Sequence, residues 1–205
     1  MPANPINNSY GFIETRGLTA MLSAVDDMLK TSNIKLKGFK RYGSAYITTA
    51  IQGRNEDVLT AVQAAEKRVK QIEENAPQNI TNDGLCQLIS TYITARPGLN
   101  IIDLFFNKQQ KKIDLSDNEG LAFIDARGLI ALIATTDQIT KSYPLEIMGY
   151  NKMGSGRLNL IIKGRISSLK PAVEMGIELV KKHGRLIGYS TIARPHFELK
   201  HILTK

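Results

Sequence analysis

The chain has 205 residues, of which 42% are hydrophobic and 22% are charged, and its formal net charge at pH 7 is +8. This composition is typical of a globular protein, and no run of about 18 apolar residues predicts a membrane span. The N-terminal stretch lacks the basic and apolar regions of a secretion signal, and the single cysteine, Cys86, excludes an internal disulfide. We therefore expect a cytoplasmic protein.

The positive charge is spread too evenly to indicate a nucleic-acid-binding surface. Residues 118–205 carry thirteen Lys or Arg against seven Asp or Glu, whereas residues 1–117 carry fourteen against twelve. Basic residues are mixed with acidic ones and lack the aromatic interleaving of surfaces that track a phosphate backbone. We expect neither a nucleic acid nor a membrane as a partner.

Hydrophobic periodicity over the first half of the chain predicts four strands and two helices. The strand residues alternate or are rich in β-formers, and the helical residues place their apolar side chains on one face. The order strand, helix, strand, strand, helix, strand falls on residues 10–15, 18–30, 34–39, 45–51, 56–72 and 88–95. An apolar piece at 99–105, after Arg96-Pro97, predicts a short terminal helix.

The second half repeats this order. Its strands and helices are predicted at residues 121–125, 129–139, 145–150, 158–163, 169–180 and 186–193, followed by Arg194-Pro195-His196 and by the apolar residues Phe197, Leu199, Ile202 and Leu203. A shift of 111 positions superposes Arg16-Gly17-Leu18 on Arg127-Gly128-Leu129 and Gly53-Arg54 on Gly164-Arg165. An ungapped match of this length indicates a duplication.

The duplication sets the domain organisation. We predict a first domain at 9–106, a linker at 107–118 and a second domain at 119–205. A turn-rich stretch at about 73–87 has no match in the second copy and is predicted to be an inserted surface loop. The linker is predicted from its polar and charged residues.

A glycine-rich turn recurs between the hairpin strands of both copies. It reads Lys152-Met153-Gly154-Ser155-Gly156-Arg157 in the second copy and Arg41-Tyr42-Gly43-Ser44-Ala45-Tyr46 in the first. Glycine at these positions indicates positive φ or close approach to the main chain. A phosphate-binding loop is ruled out because the turn lacks Gly-Lys-Ser/Thr and leads into a strand. A plain hairpin turn would also account for the glycines, but its repetition indicates a shared role.

Three motifs keep their order and spacing in both copies. The first copy has Gly11-Phe-Ile-Glu-Thr-Arg-Gly-Leu, Gly38-Phe-Lys-Arg-Tyr-Gly-Ser and Ile93-Thr-Ala-Arg-Pro; the second has Phe123-Ile-Asp-Ala-Arg-Gly-Leu, Gly149-Tyr-Asn-Lys-Met-Gly-Ser-Gly and Ile192-Ala-Arg-Pro-His. Together they resemble the bacterial microcompartment (BMC) shell domain, and the two fused copies resemble its tandem class in unpermuted order. The resemblance implies an α+β fold of two ferredoxin-like domains, each an antiparallel sheet packed by helices.

The resemblance further implies a non-enzymatic structural protein of a microcompartment shell in the bacterial cytoplasm. Members of the tandem class form homotrimers of hexagonal outline, which tile into shell facets beside other shell proteins and face the encapsulated enzymes. Small metabolites would pass through a central pore. By this resemblance the pore is lined by Tyr42, Gly43, Ser44, Ala45, Met153, Gly154, Ser155 and Gly156.

The resemblance also assigns contacts at the tile edge. Lys30 and Lys141 match the edge lysine of the family, and Arg96 and Arg194 match the arginine beside it. The copies differ in detail. The first copy has Ala45 where the second has Gly156, and it has Gly98 where the second has His196. With Tyr42 and Tyr46 in the first loop only, these differences predict a pore of three-fold character.

Two alternatives to a structural tile are an electron-transfer subunit that binds an iron–sulfur cluster and a ligand-binding regulatory domain. An iron–sulfur cluster at the pore would need a cysteine on the loop, but Cys86 lies far from both loops in sequence. A ligand-binding regulatory domain would use a cleft between subunits. His183, His196 and His201 lack metal-ligand spacing, and no nucleophile–base arrangement is evident, so we expect no metal, no cofactor and no enzymatic activity.

Overall fold

The computed structural model describes residues 8–77, 84–107, 119–196 and 198–199, with Asn8 described for its backbone only. The predicted linker beyond Asn107, the central part of the predicted insertion and His201 lie outside the described residues, as does most of the second predicted terminal helix. Within the described ranges, no helix has the length and apolar character needed to cross a membrane.

The first copy folds into one antiparallel sheet with two helices. Its strand order is β2-β3-β1-β4, and β1 pairs with both β3 and β4. This is the order that a β-α-β-β-α-β chain adopts when each helix crosses over the same sheet. The elements are β1 (Asn8–Arg16), α1 (Leu18–Thr31), β2 (Ile34–Arg41), β3 (Tyr46–Arg54), α2 (Asn55–Asn75) and β4 (Gln87–Ala95).

The second copy has the same topology, with the strand order β6-β7-β5-β8. A short helix, α3, begins six residues after the end of β4 and matches the predicted terminal helix of the first copy. The elements are α3 (Ile101–Phe106), β5 (Gly120–Arg127), α4 (Leu129–Ser142), β6 (Glu146–Gly154), β7 (Arg157–Gly164), α5 (Ile166–His183) and β8 (Arg185–Ile192). The predicted α+β fold class and element order are confirmed.

The same backbone device starts the first helix of each copy. Gly17 precedes α1 with φ 104°, and Gly128 precedes α4 with φ 109°. A side chain at either position would be strained, because this region of φ is readily adopted only by glycine. The repeated Arg-Gly-Leu motif therefore fixes a sharp turn from strand into helix.

Internal contacts divide the chain into two compact units. The first unit contains the residues up to Pro97 together with Gly154–Gly156, and the second contains Gly98–Met153 and the residues from Arg157 onward. Helix α3 thus packs within the second unit, although it follows the last strand of the first copy. The domain limits 9–106 and 119–205 remain a prediction from the sequence repeat.

The core of the first unit lies between its sheet and its helices. Apolar side chains from β1 and β3 pack against one face each of α1 and α2, which is the arrangement expected for amphipathic helices on a sheet. The fully buried members include Ile13, Met21, Ile51, Val58 and Val69.

Helix α4 of the second unit is buried on more than one face. Its residues from Leu129 to Asp137 are all buried, as is Ile139. One face packs on the helix α5 and the sheet, and α3 packs against another. A helix that is apolar on several faces needs cover from more than one neighbour.

Helix α3 supplies this additional cover. Its side chains Ile101, Leu104 and Phe105 are buried. The Tyr150 hydroxyl donates a hydrogen bond of 3.0 Å to the Phe105 carbonyl, and the two rings lie 5.1 Å apart. Aromatic pairs at such distances stabilise beyond their buried area. The short helix is therefore held by apolar burial and one buried hydrogen bond.

We expect Tyr150→Phe to lower the free energy of unfolding by about 1–2 kcal/mol, because the buried Phe105 carbonyl loses this donor. Burial raises the pKa of Tyr150 to about 12 from its ordinary value of 10.0. The folded protein keeps the hydroxyl neutral while the unfolded chain ionises above pH 10, so this contribution to stability is present below pH 10 and declines toward pH 12. The cost of the substitution should shrink over that interval.

The measurement is urea-induced unfolding of the wild type and the variant at a series of pH values from 8 to 11. Tyr189→Phe is the matched control, because Tyr189 is 60% exposed and its substitution should change stability by less than about 0.5 kcal/mol. A cost for Tyr150→Phe that is the same at pH 11 as at pH 9 would contradict the assignment.

Candidate pore loops and edge residues

The glycine turns of the two copies follow the same backbone path. The φ angles are 101°, 49° and 61° at Gly43, Ser44 and Ala45, and 78°, 52° and 73° at Gly154, Ser155 and Gly156. All three positions of each turn are left-handed, as the glycines indicated. Ala45 adopts this conformation without being glycine, at a cost of about 1–2 kcal/mol. Both copies keep the same backbone conformation although it is strained at Ala45. This indicates that the shape of the loop itself has a function.

In the first loop, the described side chains separate into an exposed tip and a buried base. Gly43, Ser44 and Ala45 are exposed, whereas Tyr42 is only 5% exposed. The Tyr42 hydroxyl accepts a hydrogen bond of 3.5 Å from Thr48. The Tyr42 ring therefore belongs to the base of the loop, and its backbone is what remains available to line an opening.

Tyr46 completes this base. Its ring lies 5.7 Å from the ring of Tyr42 and beneath the Arg16 guanidinium, which lies 5.6 Å from the ring centroid. The Gly17 amide also donates a hydrogen bond of 2.9 Å to the Ala45 carbonyl. Stacking, a cation–π contact and a backbone bond thus hold the strained turn in place.

In the second loop, three of the four predicted pore residues are exposed. Met153 is 51% exposed, Gly154 and Ser155 are exposed, and Gly156 is buried. Space around Gly154 is open, because a Cβ placed there would meet no atom within 4 Å. Substitution at Gly154 is therefore limited by its positive φ and not by steric contact.

Cationic side chains flank both loops. Arg41 is exposed and lies over the Phe39 ring at 5.6 Å, and Lys152 and Arg157 are exposed beside the second loop. Exposed amides, hydroxyls and nearby cations favour polar or anionic small molecules.

The two predicted edge lysines lie in different environments. Lys30 is paired with Asp26 at 2.5 Å, and the side chains are 70% and 57% exposed. The hydrogen bond that Lys30 donates to Asp26, together with the negative charge of that carboxylate, raises the pKa of Lys30. An exposed pair of this kind contributes little to stability, so Lys30 is available for another role.

Lys141 pairs with a fully buried carboxylate. Its ammonium lies 2.8 Å from Asp137, which is 0% exposed, while the Lys141 side chain is 32% exposed. Asp137 also accepts a hydrogen bond of 2.8 Å from the Gly98 amide. Removing Lys141 would deprive a buried charge of its partner, which destabilises a fold strongly.

Arg96 and Arg194 are both exposed just beyond the ends of β4 and β8. Arg96 has a positive φ of 61°, which is strained for arginine. The difference between Gly98 and His196 has a steric reason: a Cβ at Gly98 would lie 2.6 Å from the Thr140 hydroxyl oxygen. A larger residue at position 98 would require Thr140 to shift or to be replaced.

Cys86 lies closer to a loop than its sequence position indicated. A Cβ at Gly17 would come within 3.1 Å of the Cys86 amide, and Gly17 bonds to Ala45. The cysteine is half-buried. Among the residues that the structure describes, no group of three or more His, Cys, Asp or Glu could hold a metal ion. The described part of the chain thus offers a lone thiol and no ligand set.

Several known proteins are similar to this chain. The carboxysome assembly protein CcmO of Synechocystis sp. is 26% identical over 97% of this chain, which spans 65% of that relative. The microcompartment shell protein PduA of Citrobacter freundii is 32% identical over 42% of this chain and 94% of its own length. A crystal structure of a microcompartment protein from Desulfitobacterium hafniense DCB has the same fold, with a TM-score of 0.66, 19% identity, and coverage of 95% of this chain and 99% of that chain.

The family model described as BMC domain matches residues 9–81 and again residues 120–195. The first match covers β1 to β3 with α1 and α2 and ends before β4, and the second covers the whole second sheet with its two helices. The chain therefore belongs to the BMC-domain family, as a member that carries the domain twice.

Proposed function

We propose that this chain is a structural subunit of a bacterial microcompartment shell. The observation that carries the proposal is the presence of two BMC domains with the same strained loop in one chain. The names of its relatives, a carboxysome assembly protein and a microcompartment shell protein, support it. The chain spans about two thirds of CcmO, so the role proposed here is that of the two-domain part.

The proposed assembly is a homotrimer that supplies six BMC domains to a tile of hexagonal outline. Most homo-oligomers close by rotational symmetry, and three chains with two similar domains each imitate a six-fold ring. The tile would lie beside other shell proteins in a facet and would face the encapsulated enzymes on one side. This role needs no enzymatic chemistry in the chain itself.

The proposed route for metabolites is a central pore lined by six loop tips. The exposed parts of the loops, Gly43–Ala45 and Met153–Ser155, offer backbone amides and two serine hydroxyls. The flanking cations Arg41, Lys152 and Arg157 favour anionic permeants. Because the tips of the two copies differ in sequence, the pore would have three-fold character.

We expect Ser155→Trp to narrow the opening and leave the fold intact. Ser155 is exposed and already has a positive φ, so the substitution adds bulk without requiring a glycine. Averaged electron-microscope images of the purified protein should show a tile of unchanged outline with a smaller central hole.

The control is Gln63→Trp on the exposed face of α2, which should leave the hole unchanged. An unaltered hole in Ser155→Trp, in tiles that otherwise form normally, would mean that the second loop does not line the opening.

We expect Lys30→Ala to weaken lateral assembly of tiles without changing stability by more than about 0.5 kcal/mol, because its pair with Asp26 is exposed. Lys141 is unsuitable for this test, since its removal also affects the buried Asp137. The extent of two-dimensional sheets in negative-stain images, together with the melting temperature, measures both effects.

Lys67→Ala, at an exposed position of α2, is the matched control for the loss of one surface charge. Sheets of Lys30→Ala that equal those of the control in size and order would contradict an edge role for Lys30.

A further inference from the structure

The first unit exposes a contiguous set of large apolar side chains on α1 and β2. Leu18, Leu22 and Leu29 fall on one stripe of α1 at positions 0, 4 and 11, and Leu36 and Phe39 lie on β2 opposite Ile51 and Thr49 of β3. A β-bulge between Leu36 and Gly38 brings these two onto one face of the sheet. The α1–β2 patch consists of Leu18, Leu22, Leu29, Leu36 and Phe39, which are 37–53% exposed.

The same positions are covered in the second unit. The shift of 111 residues maps the patch onto Leu129, Ile133, Thr140, Ile147 and Tyr150. Four of these are at most 7% exposed, and Thr140 is half-buried. The two copies therefore share an apolar surface that is covered in one unit and exposed in the other.

The cover in the second unit is the segment Gly98–Phe106. Phe105 contacts Tyr150, and the Gly98 amide bonds to Asp137 on α4. This segment follows the last strand of the first copy. The corresponding surface of the first unit would thus be covered by the segment that follows the last strand of the second copy.

That segment carries the required residues. Counted from the shared Ala-Arg-Pro motif, Gly98 corresponds to His196, and the buried Ile101, Leu104 and Phe105 correspond to Leu199, Ile202 and Leu203. All three positions are apolar in both copies. In both segments the second apolar residue follows the first by three positions, and the third follows the second directly. The two segments therefore have the same apolar pattern for packing on a helix.

We propose that residues 196–203 of one chain dock on the α1–β2 patch of a second copy of this chain. The contact is heterologous, joining different surfaces of two chains, and such contacts close into rings when the rotation permits. It thereby deepens the proposed function, on which it rests, by assigning the surfaces that hold the trimer together.

Two details of the patch fit this occupant. Asp26 occupies the position of Asp137 and is exposed, so its carboxylate can accept the His196 amide as Asp137 accepts that of Gly98. Thr140 leaves no space for a Cβ at Gly98, whereas the corresponding Leu29 is 47% exposed. His196 therefore lies in the segment whose proposed docking surface, the α1–β2 patch, can accommodate a side chain at that position.

The contact can be trapped as a disulfide between two different chains. In a Cys86→Ser background, one chain carries Leu29→Cys and a co-expressed chain carries His196→Cys. Mild oxidation should join the two into a covalent dimer on a non-reducing gel, because the corresponding atoms in the second unit, Gly98 and Thr140, are close enough for a bond. Each variant alone should give no such dimer.

Gly98→Cys with Thr140→Cys is the positive control, and it should form an intrachain disulfide that leaves the chain monomeric on the gel. Native mass spectrometry of the unoxidised protein distinguishes a failure of the proposed function from a failure of the docking alone. A monomer would overturn the proposed function and the docking together. A trimer without the interchain disulfide would overturn the docking alone.

A second variant does not depend on disulfide geometry. Leu22 is 53% exposed, so Leu22→Glu should leave the chain folded, as judged by circular dichroism, and weaken trimer formation by at least about tenfold, because docking would bury the charge. Leu59→Glu, at a 46% exposed leucine of α2 outside the patch, should leave the trimer unchanged. Equal trimer stability in the two variants would contradict the docking.

Discussion

The structure depends on how the first helix of each copy is covered. Its sheet and its partner helix can bury only part of the apolar surface that the sequence places on it. In the second unit α3 buries the remainder, with Phe105 against Tyr150 and the Gly98 amide on Asp137. In the first unit the corresponding leucines remain exposed. An exposed apolar surface of this kind marks an interaction site, and we propose that a segment of a second chain lies on it.

The proposed docking links the fold to assembly. Under this proposal a chain with one such domain obtains its cover from a second chain, whereas a chain with two domains supplies one cover internally and receives the other from a neighbouring chain. Duplication would then make half of these contacts covalent. The strained Gly43–Ala45 and Gly154–Gly156 turns are the other shared feature, since both copies keep the same left-handed path although one uses alanine where the other uses glycine.

Much of the fold could be predicted from the sequence, because it rests on local patterns. The alternation and helical spacing predicted the order of elements, and the glycines at 43 and 154 predicted positive φ. The burial of Tyr42 could not be predicted, since it depends on Thr48 and Tyr46 from the adjoining strand. The proximity of Cys86 to Gly17 is set by strand pairing across a long separation in sequence.

Local sequence patterns also could not predict the environments of the edge residues. Lys30 and Lys141 occupy equivalent positions and pair with equivalent aspartates, yet one pair is exposed and the other includes a buried carboxylate. That difference arises from the packing of α3, whose apolar residues were evident in the sequence but whose partner was not. Sequence periodicity identifies a surface that needs cover and does not identify what covers it.

The central claim is that three doubled chains form a closed tile of six similar domains. Electron microscopy of the purified protein, with averaging that imposes no symmetry, tests it most directly. We expect a hexagonal particle with a central opening, in which alternate lobes are alike and adjacent lobes differ. A single two-lobed particle, or an assembly whose lobes do not surround a common axis, would contradict it.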